Sequence, residues 1–160
     1  MTALAPVAGC AGYGDMSNFY DGPEVTHVEV RKSEREMYLW SEGDVIRTYA
    51  IDLGFAPDGP KRFEGDGRTP EGQYWINRRN PESQFYLSLG ISYPNRRDVA
   101  YARQRGKDPG GDIFIHGETG ARWGRALGAD WTAGCIALDN ADMREVYWMV
   151  GVGTPITIRA

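Results

Sequence analysis

Two short segments organise this chain: Asp112-Ile113-Phe114-Ile115-His116-Gly117 and Trp131-Thr132-Ala133-Gly134-Cys135-Ile136. The first predicts a buried strand that ends at His116, and the second predicts a small-residue turn that leads into another buried strand. A thiol becomes a nucleophile when it loses its proton, and a nearby imidazole can take that proton. Cys135 and His116 are therefore a candidate nucleophile and base, although a cysteine of this kind, taken alone, is more often a buried structural residue.

Two further motifs precede these segments. They are Gly65-Asp66-Gly67-Arg68-Thr69-Pro70-Glu71-Gly72-Gln73-Tyr74 and Leu87-Ser88-Leu89-Gly90-Ile91-Ser92-Tyr93-Pro94-Asn95. The order and spacing of all four motifs resemble the catalytic domain of L,D-transpeptidases, also called the YkuD domain. The signature of that family is a histidine followed at a distance by Ser/Thr-His-Gly-Cys, and the 15 residues between His116 and Thr132 fit its spacing. The resemblance covers residues 24–159.

The resemblance implies a fold and a set of catalytic groups. The implied fold is mainly β, a β-sandwich-like mixed sheet with one or two short helices. Cys135 would be the nucleophile and His116 the base that forms a thiolate–imidazolium pair with it. The main-chain carbonyl of Gly117 would be the third member of the triad, and main-chain N–H groups around Gly134 and Cys135 would hold the oxyanion.

Two positions depart from the family pattern. Ala133 stands where the family usually has histidine, and Ala137 stands where many members have arginine. Because His116 maps to the family's general base, the minimal pair of thiol and imidazole is retained. The two alanines therefore bear on substrate specificity more than on the chemistry.

The resemblance also implies an activity. A cysteine acyltransferase of the cell envelope would form a thioester between Cys135 and a peptidoglycan stem peptide, and an amine would resolve it to give a 3→3 cross-link or an attached protein. If water resolves the thioester, the same site is an L,D-carboxypeptidase or amidase. A non-catalytic peptidoglycan-binding module is the alternative that Ala133 and Ala137 favour. We expect a periplasmic monomer without a cofactor.

Further residues are candidates for contact with the substrate, each with a structural alternative. The aromatic rings among them would wall a groove or simply pack, and the arginines would bind a substrate carboxylate. Thr132 would order the turn, and Tyr93 lies in a setting that matches the family's groove loop. The candidates are Thr132, Trp131, Trp123, Arg122, Arg125 and Tyr93.

Composition limits the function classes. The chain has 160 residues, enough for one domain with its own core. Its 21 glycines and 9 prolines indicate many turns and short strands. The net charge of −4 argues against nucleic acid as a partner, and two distant histidines without clustered cysteines give no metal-ligand spacing.

Seven basic side chains are concentrated between residues 77 and 107, against two acidic ones. They form either a solvated face or a positive rim that attracts a substrate rich in carboxylates. The seven are Arg78, Arg79, Arg96, Arg97, Arg103, Arg105 and Lys107.

The N-terminal segment, residues 1–23, is predicted to lie outside the domain at residues 24–160. Val7-Ala8-Gly9-Cys10 resembles a bacterial lipobox, in which the cysteine carries a lipid that anchors the protein to a membrane. The basic region and the long apolar run of a secretory signal are missing before it. The segment is therefore either the remnant of a lipoprotein signal or a flexible tail.

The apolar patterns predict strands and two helices around these motifs. Asn95 would cap a helix at residues 96–104, and Asp139 or Asn140 would cap a helix at residues 141–149. Residues 55–69 are rich in Gly, Pro and Asp and predict a long loop. The predicted strands are residues 25–30, 37–40, 45–51, 72–76, 85–89, 113–115, 136–138 and 155–158.

Overall fold

A computed structural model of the chain describes residues 20–119 and 128–160. Eight strands form one mixed sheet with the order β3-β2-β1-β8-β4-β5-β6-β7, and two helices complete the described fold, which confirms the predicted fold class. The strands are β1 (His27–Arg31), β2 (Glu36–Ser41), β3 (Asp44–Ala50), β4 (Gly72–Ser83), β5 (Tyr86–Ile91), β6 (Phe114–His116), β7 (Ile136–Ala137) and β8 (Pro155–Arg159), and the helices are α1 (Arg96–Arg103) and α2 (Asn140–Met149).

Two of the strand pairs are parallel. β1 runs parallel to β8, and β6 runs parallel to β7. All other neighbouring pairs are antiparallel. The parallel pairs bring together segments far apart in the sequence, so the sheet and not a local hairpin places His116 beside the segment of Cys135.

Strand β4 joins the two halves of the sheet. Its first residues pair with β8, and its later residues pair with β5. The sequence predicted that a strand starts at residues 72–76, and this strand runs from Gly72 to Ser83 and contains Pro81. A proline donates no ladder hydrogen bond, and Pro81 falls where the register between Asn80 and Ser83 shifts. The strand tolerates it for that reason.

Both predicted helices are present. Asn95 caps α1: its side chain accepts from the N–H groups of Arg97 and Asp98, and the Asp98 side chain accepts from the N–H of Asn95. This reciprocal pattern is a capping box. Asp139 is the N-cap residue of α2 by position, without a side-chain cap hydrogen bond.

The core lies between the inner face of the sheet and α2. Helix α2 buries Met143, Val146, Tyr147 and Met149. Each fully buried aliphatic side chain contributes roughly 1.5–3 kcal/mol relative to an exposed one. The sheet residues that are fully buried come from both halves: Val28, Val30, Met37, Leu39, Ile76, Leu89, Ile115, Ile136 and Ile156.

Buried charges hold the loop between β3 and β4. Lys32 is 2% exposed, and its Nζ donates to the carbonyl of Gly59 (2.7 Å) and to the carboxylate of Glu71 (2.8 Å). Lys61 is 4% exposed and pairs with Asp66 at 3.0 Å. The second oxygen of Asp66 accepts from the backbone N–H of Arg62 and Phe63. A segment with few apolar residues is thereby ordered next to the cysteine.

Among the described residues, no helix is long and apolar enough to cross a membrane.

Candidate active site

Strand pairing brings the segments of Cys135 and His116 side by side. The parallel register pairs Ile115 with Ile136 and His116 with Ala137. Paired residues of neighbouring strands point to the same face, and so do residues two apart on one extended segment. Cys135 directly precedes β7, so its segment lies beside β6, the strand that ends at His116, while Ile115 and Ile136 are fully buried in the core.

The cysteine turn (residues 132–135) is held by one hydroxyl. Thr132 is 4% exposed, and its Oγ1 accepts from the N–H of Gly134 at 3.1 Å and donates to the carbonyl of Cys135 at 2.8 Å. These bonds close the turn just before β7. Thr132 thus orders the turn, which is one of the two roles that the sequence suggested for it.

Glycine is required at the centre of this turn. Gly134 has a φ of +133°, a conformation that side chains rarely adopt. A Cβ added there would lie 2.6 Å from the carbonyl oxygen of Arg68. Gly54 is packed as closely, since a Cβ on it would meet the carbonyl oxygen of Gly67 at 2.1 Å. Three backbone segments therefore converge behind Cys135.

The thiol of Cys135 is partly buried among backbone groups. Its Sγ accepts from the N–H of Phe114 at 3.4 Å and approaches the carbonyl oxygen of Asp112 at 3.6 Å. Burial, above all, raises the pKa of this thiol, because it removes water from the thiolate; the N–H of Phe114 acts in the opposite direction.

His116 is buried and held in one orientation. Its Nδ1 lies 2.6 Å from the carbonyl oxygen of Gly117, a contact that fixes the proton on Nδ1 and leaves Nε2 able to accept one. The imidazole is stacked with Phe85 at 4.5 Å between ring centroids and meets Trp131 edge to face at 5.7 Å. Burial lowers the pKa of His116 against the opposing effect of the Gly117 carbonyl.

These two pKa shifts bear on the predicted thiolate–imidazolium pair. A raised thiol pKa and a lowered imidazole pKa both favour the neutral forms, because burial penalises each charge. The hydrogen-bond partners of Sγ are backbone groups of Phe114 and Asp112. Burial thus favours the neutral thiol and the neutral imidazole, and the thiolate–imidazolium pair expected from the sequence stays a prediction.

Asn140 is a site residue that the sequence reasoning treated only as a helix cap. Its Oδ1 accepts from the N–H of Glu118 at 2.7 Å. A Cβ on Gly117 would come within 2.4 Å of the same oxygen. The start of α2 thus fixes the peptide that carries the Gly117 carbonyl, and the absence of a side chain at Gly117 makes room for this contact.

Phe85 is the second residue that sequence reasoning missed. It was predicted only as the start of a strand, but its ring covers His116 and lies 6.1 Å from that of Trp131. An apolar side chain at position 85 does not by itself indicate contact with a catalytic candidate such as His116. Contact with His116 depends on the pairing of β5 with β6.

The structure separates the predicted substrate contacts. Trp131 lies at the site beside His116, and its buried indole Nε1 has no hydrogen-bond partner among the described residues. Tyr93 is corrected from a groove residue to a core residue: it is 5% exposed, and its hydroxyl donates to the carbonyl of Pro109. Four candidates lie outside the described residues, namely Cys10, Arg122, Trp123 and Arg125.

The seven basic side chains divide between strand β4 and the region of helix α1 with the residues that follow it. Arg79 covers the rings of Tyr147 and Trp148 on α2, and Arg105 covers Tyr101 on α1. Arg78 instead reaches toward β6, where its guanidinium lies over the ring of Phe114. Arg79 and Arg105 thus lie against aromatic rings, and Arg78 extends toward the segment beside Cys135.

Two findings describe what else the site offers. Within residues 20–119 and 128–160, no group of three or more His, Cys, Asp or Glu side chains is placed to hold a metal ion. A cavity of about 270 Å³ lies next to the paired Ala137, bounded also by Ile51, Asp52 and Leu138. The alanine that replaces the family's arginine thus borders open space.

The fold and the site together define a mixed β-sheet protein that carries a cysteine and a histidine on neighbouring segments, with the histidine oriented by a main-chain carbonyl. Residues 25–158 match the sequence profile of the L,D-transpeptidase catalytic domain, YkuD. The chain belongs to this family, as the sequence motifs indicated.

Individual relatives agree with the family assignment. YafK of Escherichia coli K12 is 28% identical over 130 residues, which cover 78% of this chain and 46% of YafK. A mutant of Pgp2, the helical cell shape determining protein of Campylobacter jejuni, shares 29% identity at a TM-score of 0.64, covering 88% of this chain and 48% of that one. An L,D-transpeptidase from Mycobacterium smegmatis shares the fold at 17% identity and a TM-score of 0.57, covering 85% of this chain and 59% of that one. The chain spans about half the length of YafK and Pgp2.

Proposed function

We propose that this domain is a cysteine acyltransferase that acts on peptidoglycan stem peptides through a thioester on Cys135. The observation that carries the proposal is the parallel pairing of β6 with β7, which brings the segments of His116 and Cys135 together, with Nδ1 of His116 held by the Gly117 carbonyl. Membership in the L,D-transpeptidase catalytic domain family supports the substrate class.

In the acylation step, Sγ of Cys135 attacks the carbonyl carbon of the bond between an L- and a D-residue while Nε2 of His116 takes the thiol proton. The N–H of Cys135 is the proposed oxyanion donor, because the N–H of Gly134 already donates to Thr132. The tetrahedral intermediate then expels the amine, which receives the proton from the imidazolium. The products are an acyl-thioester and a free amine.

In the second step, an acceptor gives its proton to Nε2 of His116 as it attacks the thioester carbonyl. The carbon–sulfur bond breaks, and the sulfur recovers its proton from the imidazolium. An amine acceptor gives a cross-linked or protein-linked peptide. Because burial disfavours the charged form of each group, we propose that proton removal accompanies each attack.

Hydrolysis of the same thioester is the second candidate function. The observations that favour it are the exposed Ala133 and the cavity of about 270 Å³ beside Ala137, since a methyl group at each position leaves room for water. With water as the acceptor, the products are a shortened stem peptide and a free amine, and the domain is an L,D-carboxypeptidase or amidase.

The proposal includes a location. The enzyme would act in the cell envelope, where peptidoglycan is found, as a periplasmic monomer, and a lipid on Cys10 would anchor it to a membrane. The anchor is tested by expressing the protein from its native reading frame in the presence of labelled palmitate and comparing its label with that of a Cys10→Ser variant. A label that disappears in the variant supports lipidation, and an unlabelled parent protein contradicts it.

The test of the activity is incubation of the purified protein with defined muropeptides, with and without an amine acceptor, followed by mass spectrometry. A product heavier than the donor shows transpeptidation, and a product that lacks one residue shows hydrolysis. Cys135→Ala is the matched control and should give neither product. Muropeptides that bind but remain unchanged with the parent protein would contradict the proposal in favour of a binding module.

A further inference from the structure

Arg78 lies in a row of residues that crosses the sheet toward Cys135. The register pairs Arg78 of β4 with Gly90 of β5, and Gly90 with Phe114 of β6. The N–H of Phe114 in turn donates to Sγ of Cys135. The row therefore ends at the proposed nucleophile.

The side chain of Arg78 passes over Gly90. A Cβ on Gly90 would lie 2.6 Å from Cγ of Arg78, so the missing side chain opens the path between β4 and β6. The guanidinium carbon lies 4.5 Å from the centre of the Phe114 ring. Its Nη2 donates to Oδ1 of Asp112 at 2.9 Å, and the backbone carbonyl of Asp112 is the group that Sγ of Cys135 approaches. The cation is thereby held at the segment that flanks the thiol.

Stability does not explain this placement. The side chains of Arg78 and Asp112 are 45% and 89% exposed, and exposed ion pairs add little to stability because water screens them. Among the described residues, the guanidinium donates through Nη2 to Asp112 and through Nη1 to Asn77 at 3.4 Å. A guanidinium has five N–H groups in a planar fork that matches a carboxylate. Donors therefore remain for a ligand.

Among the described residues, two other positions near Cys135 do not offer the same group. Ala137 stands where many family members have arginine, so this position on the strand that follows Cys135 carries no cation. Lys61 acts on the thiol electrostatically, but it is buried and paired with Asp66. Arg78 is half-exposed and reaches the site from another strand.

We propose that Arg78 binds a carboxylate of the peptide substrate beside Cys135 and so selects peptides with a free carboxylate near the scissile bond. The inference rests on the proposed function and specifies its substrate. The stacked, salt-bridged guanidinium is preorganised, so a carboxylate forms bidentate hydrogen bonds with little loss of side-chain entropy.

Binding to the Cys135→Ala protein tests the inference without turnover. The probes are a tetrapeptide with an L,D bond next to its C-terminal residue, and versions in which the C-terminal carboxylate, the side-chain carboxylates or all of them are amidated. When Arg78→Gln is added to the Cys135→Ala protein, calorimetry should show about tenfold weaker binding of the free peptide, equivalent to about 1.4 kcal/mol. This double variant should also bind the free peptide and the peptide whose Arg78-bound carboxylate is amidated with equal affinity.

Arg47 provides the matched control. It forms an exposed ion pair with Glu145, with side chains 44% and 41% exposed, on β3 at the other end of the sheet. Arg47→Gln should leave peptide affinity and carboxylate preference unchanged. Arg78→Lys should retain part of the affinity, because it keeps the charge without the fork. Unchanged binding in Arg78→Gln, or an equal loss for the free and the fully amidated peptide, would overturn the inference.

Turnover by proteins that retain Cys135 separates this inference from the proposed function. If the parent protein forms products and Arg78→Gln keeps the same kcat/KM and carboxylate preference, the inference is wrong and the function stands. If binding shows the Arg78-dependent preference but the parent protein forms no product, the acyltransferase function is wrong and the carboxylate site stands. Alkylation of Cys135 by neutral iodoacetamide should be equal in both proteins.

Discussion

Each end of the sheet has a turn that is held by a threonine hydroxyl, but one hydroxyl makes exposed hydrogen bonds and the other belongs to a buried residue. At the hairpin end, formed by β1, β2 and β3, the hydroxyl of Thr26 accepts from the N–H of Glu42 and donates to the carbonyl of Trp40. At the cysteine end, formed by β6, β7 and the cysteine turn, Thr132 accepts from Gly134 and donates to Cys135. The first hydroxyl is in exposed bonds, and the second belongs to a buried residue.

The glycines of the two turns differ in the same way. Gly43, in the turn between β2 and β3, has a φ of +100° and open space around it, whereas Gly134 has a φ of +133° and a carbonyl oxygen in contact range. The hairpin end is maintained by strands of five to seven residues. The cysteine end has strands of three and two residues. The geometry of the cysteine end therefore depends on individual contacts more than on long strands. A functional site needs its side chains to be held precisely, and these contacts hold them.

The largest expected effect is on chemistry alone. Cys135→Ala removes the sulfur that forms the proposed thioester, so product formation should fall below detection. The melting temperature should stay within a few degrees of that of the parent, because the substitution removes one partly buried sulfur and leaves the turn's hydrogen bonds in place. Muropeptide assays and calorimetry measure the two effects. Turnover above a few per cent would refute the covalent mechanism.

His116→Gln should lower the acylation rate at neutral pH by about a hundredfold or more, since a positioned base contributes roughly 10²–10⁴. Burial lowers the pKa of His116 below 6.5, the ordinary pKa of histidine, and so favours the neutral imidazole. The parent enzyme should therefore remain active as the pH falls toward 6.5. The variant depends on free thiolate, and the pKa of Cys135 is raised above 9.0. Its rate should therefore rise with pH up to and beyond that value.

The measurement for this variant is the pH dependence of labelling by an acylating electrophile, with His27→Gln as the control histidine of the hairpin end. Equal labelling of His116→Gln and the parent at pH 7 would show that another group is the base.

Gly134→Ala and Gly43→Ala compare the two turns directly. A positive φ costs an alanine roughly 1 kcal/mol at either position. Only Gly134→Ala adds a clash with backbone, for a total of about 2–4 kcal/mol, and it should also abolish acylation. Urea unfolding and electrophile labelling check both effects. Equal destabilisation by the two substitutions would show that the close approach to Arg68 carries no cost.

The smallest difference is expected for the paired hydroxyls. Thr132→Val leaves the N–H of Gly134 and the carbonyl of Cys135 without their partner in a buried turn, which costs about 1–3 kcal/mol. Thr26→Val exposes its two partners to water and should cost under about 0.5 kcal/mol. Chemical denaturation of the two variants measures the difference. A larger loss in Thr26→Val would reverse the order of the two ends.

The elements that the sequence predicted are those with local signals. The helix at Asn95 follows from its capping residues, and the hairpin of β2 and β3 follows from alternating apolar residues around a Gly-containing turn. The end of β4 was not predicted, because Pro81 is a strand-breaking signal that only a register shift overrides. Tyr93 was misplaced because an aromatic residue in a loop motif has the same sequence signal whether it is buried or exposed.

The sequence by itself determined the family, the order of the strands along the chain and the candidate pair of Cys135 and His116, because these depend on residue type, spacing and local periodicity. Only the tertiary structure decided that burial favours the neutral forms of that pair, that Asn140 fixes the Gly117 peptide, and that Arg78 crosses Gly90 toward Phe114. These features depend on desolvation and on contacts between distant segments. Neither is encoded in the neighbours of a residue along the chain.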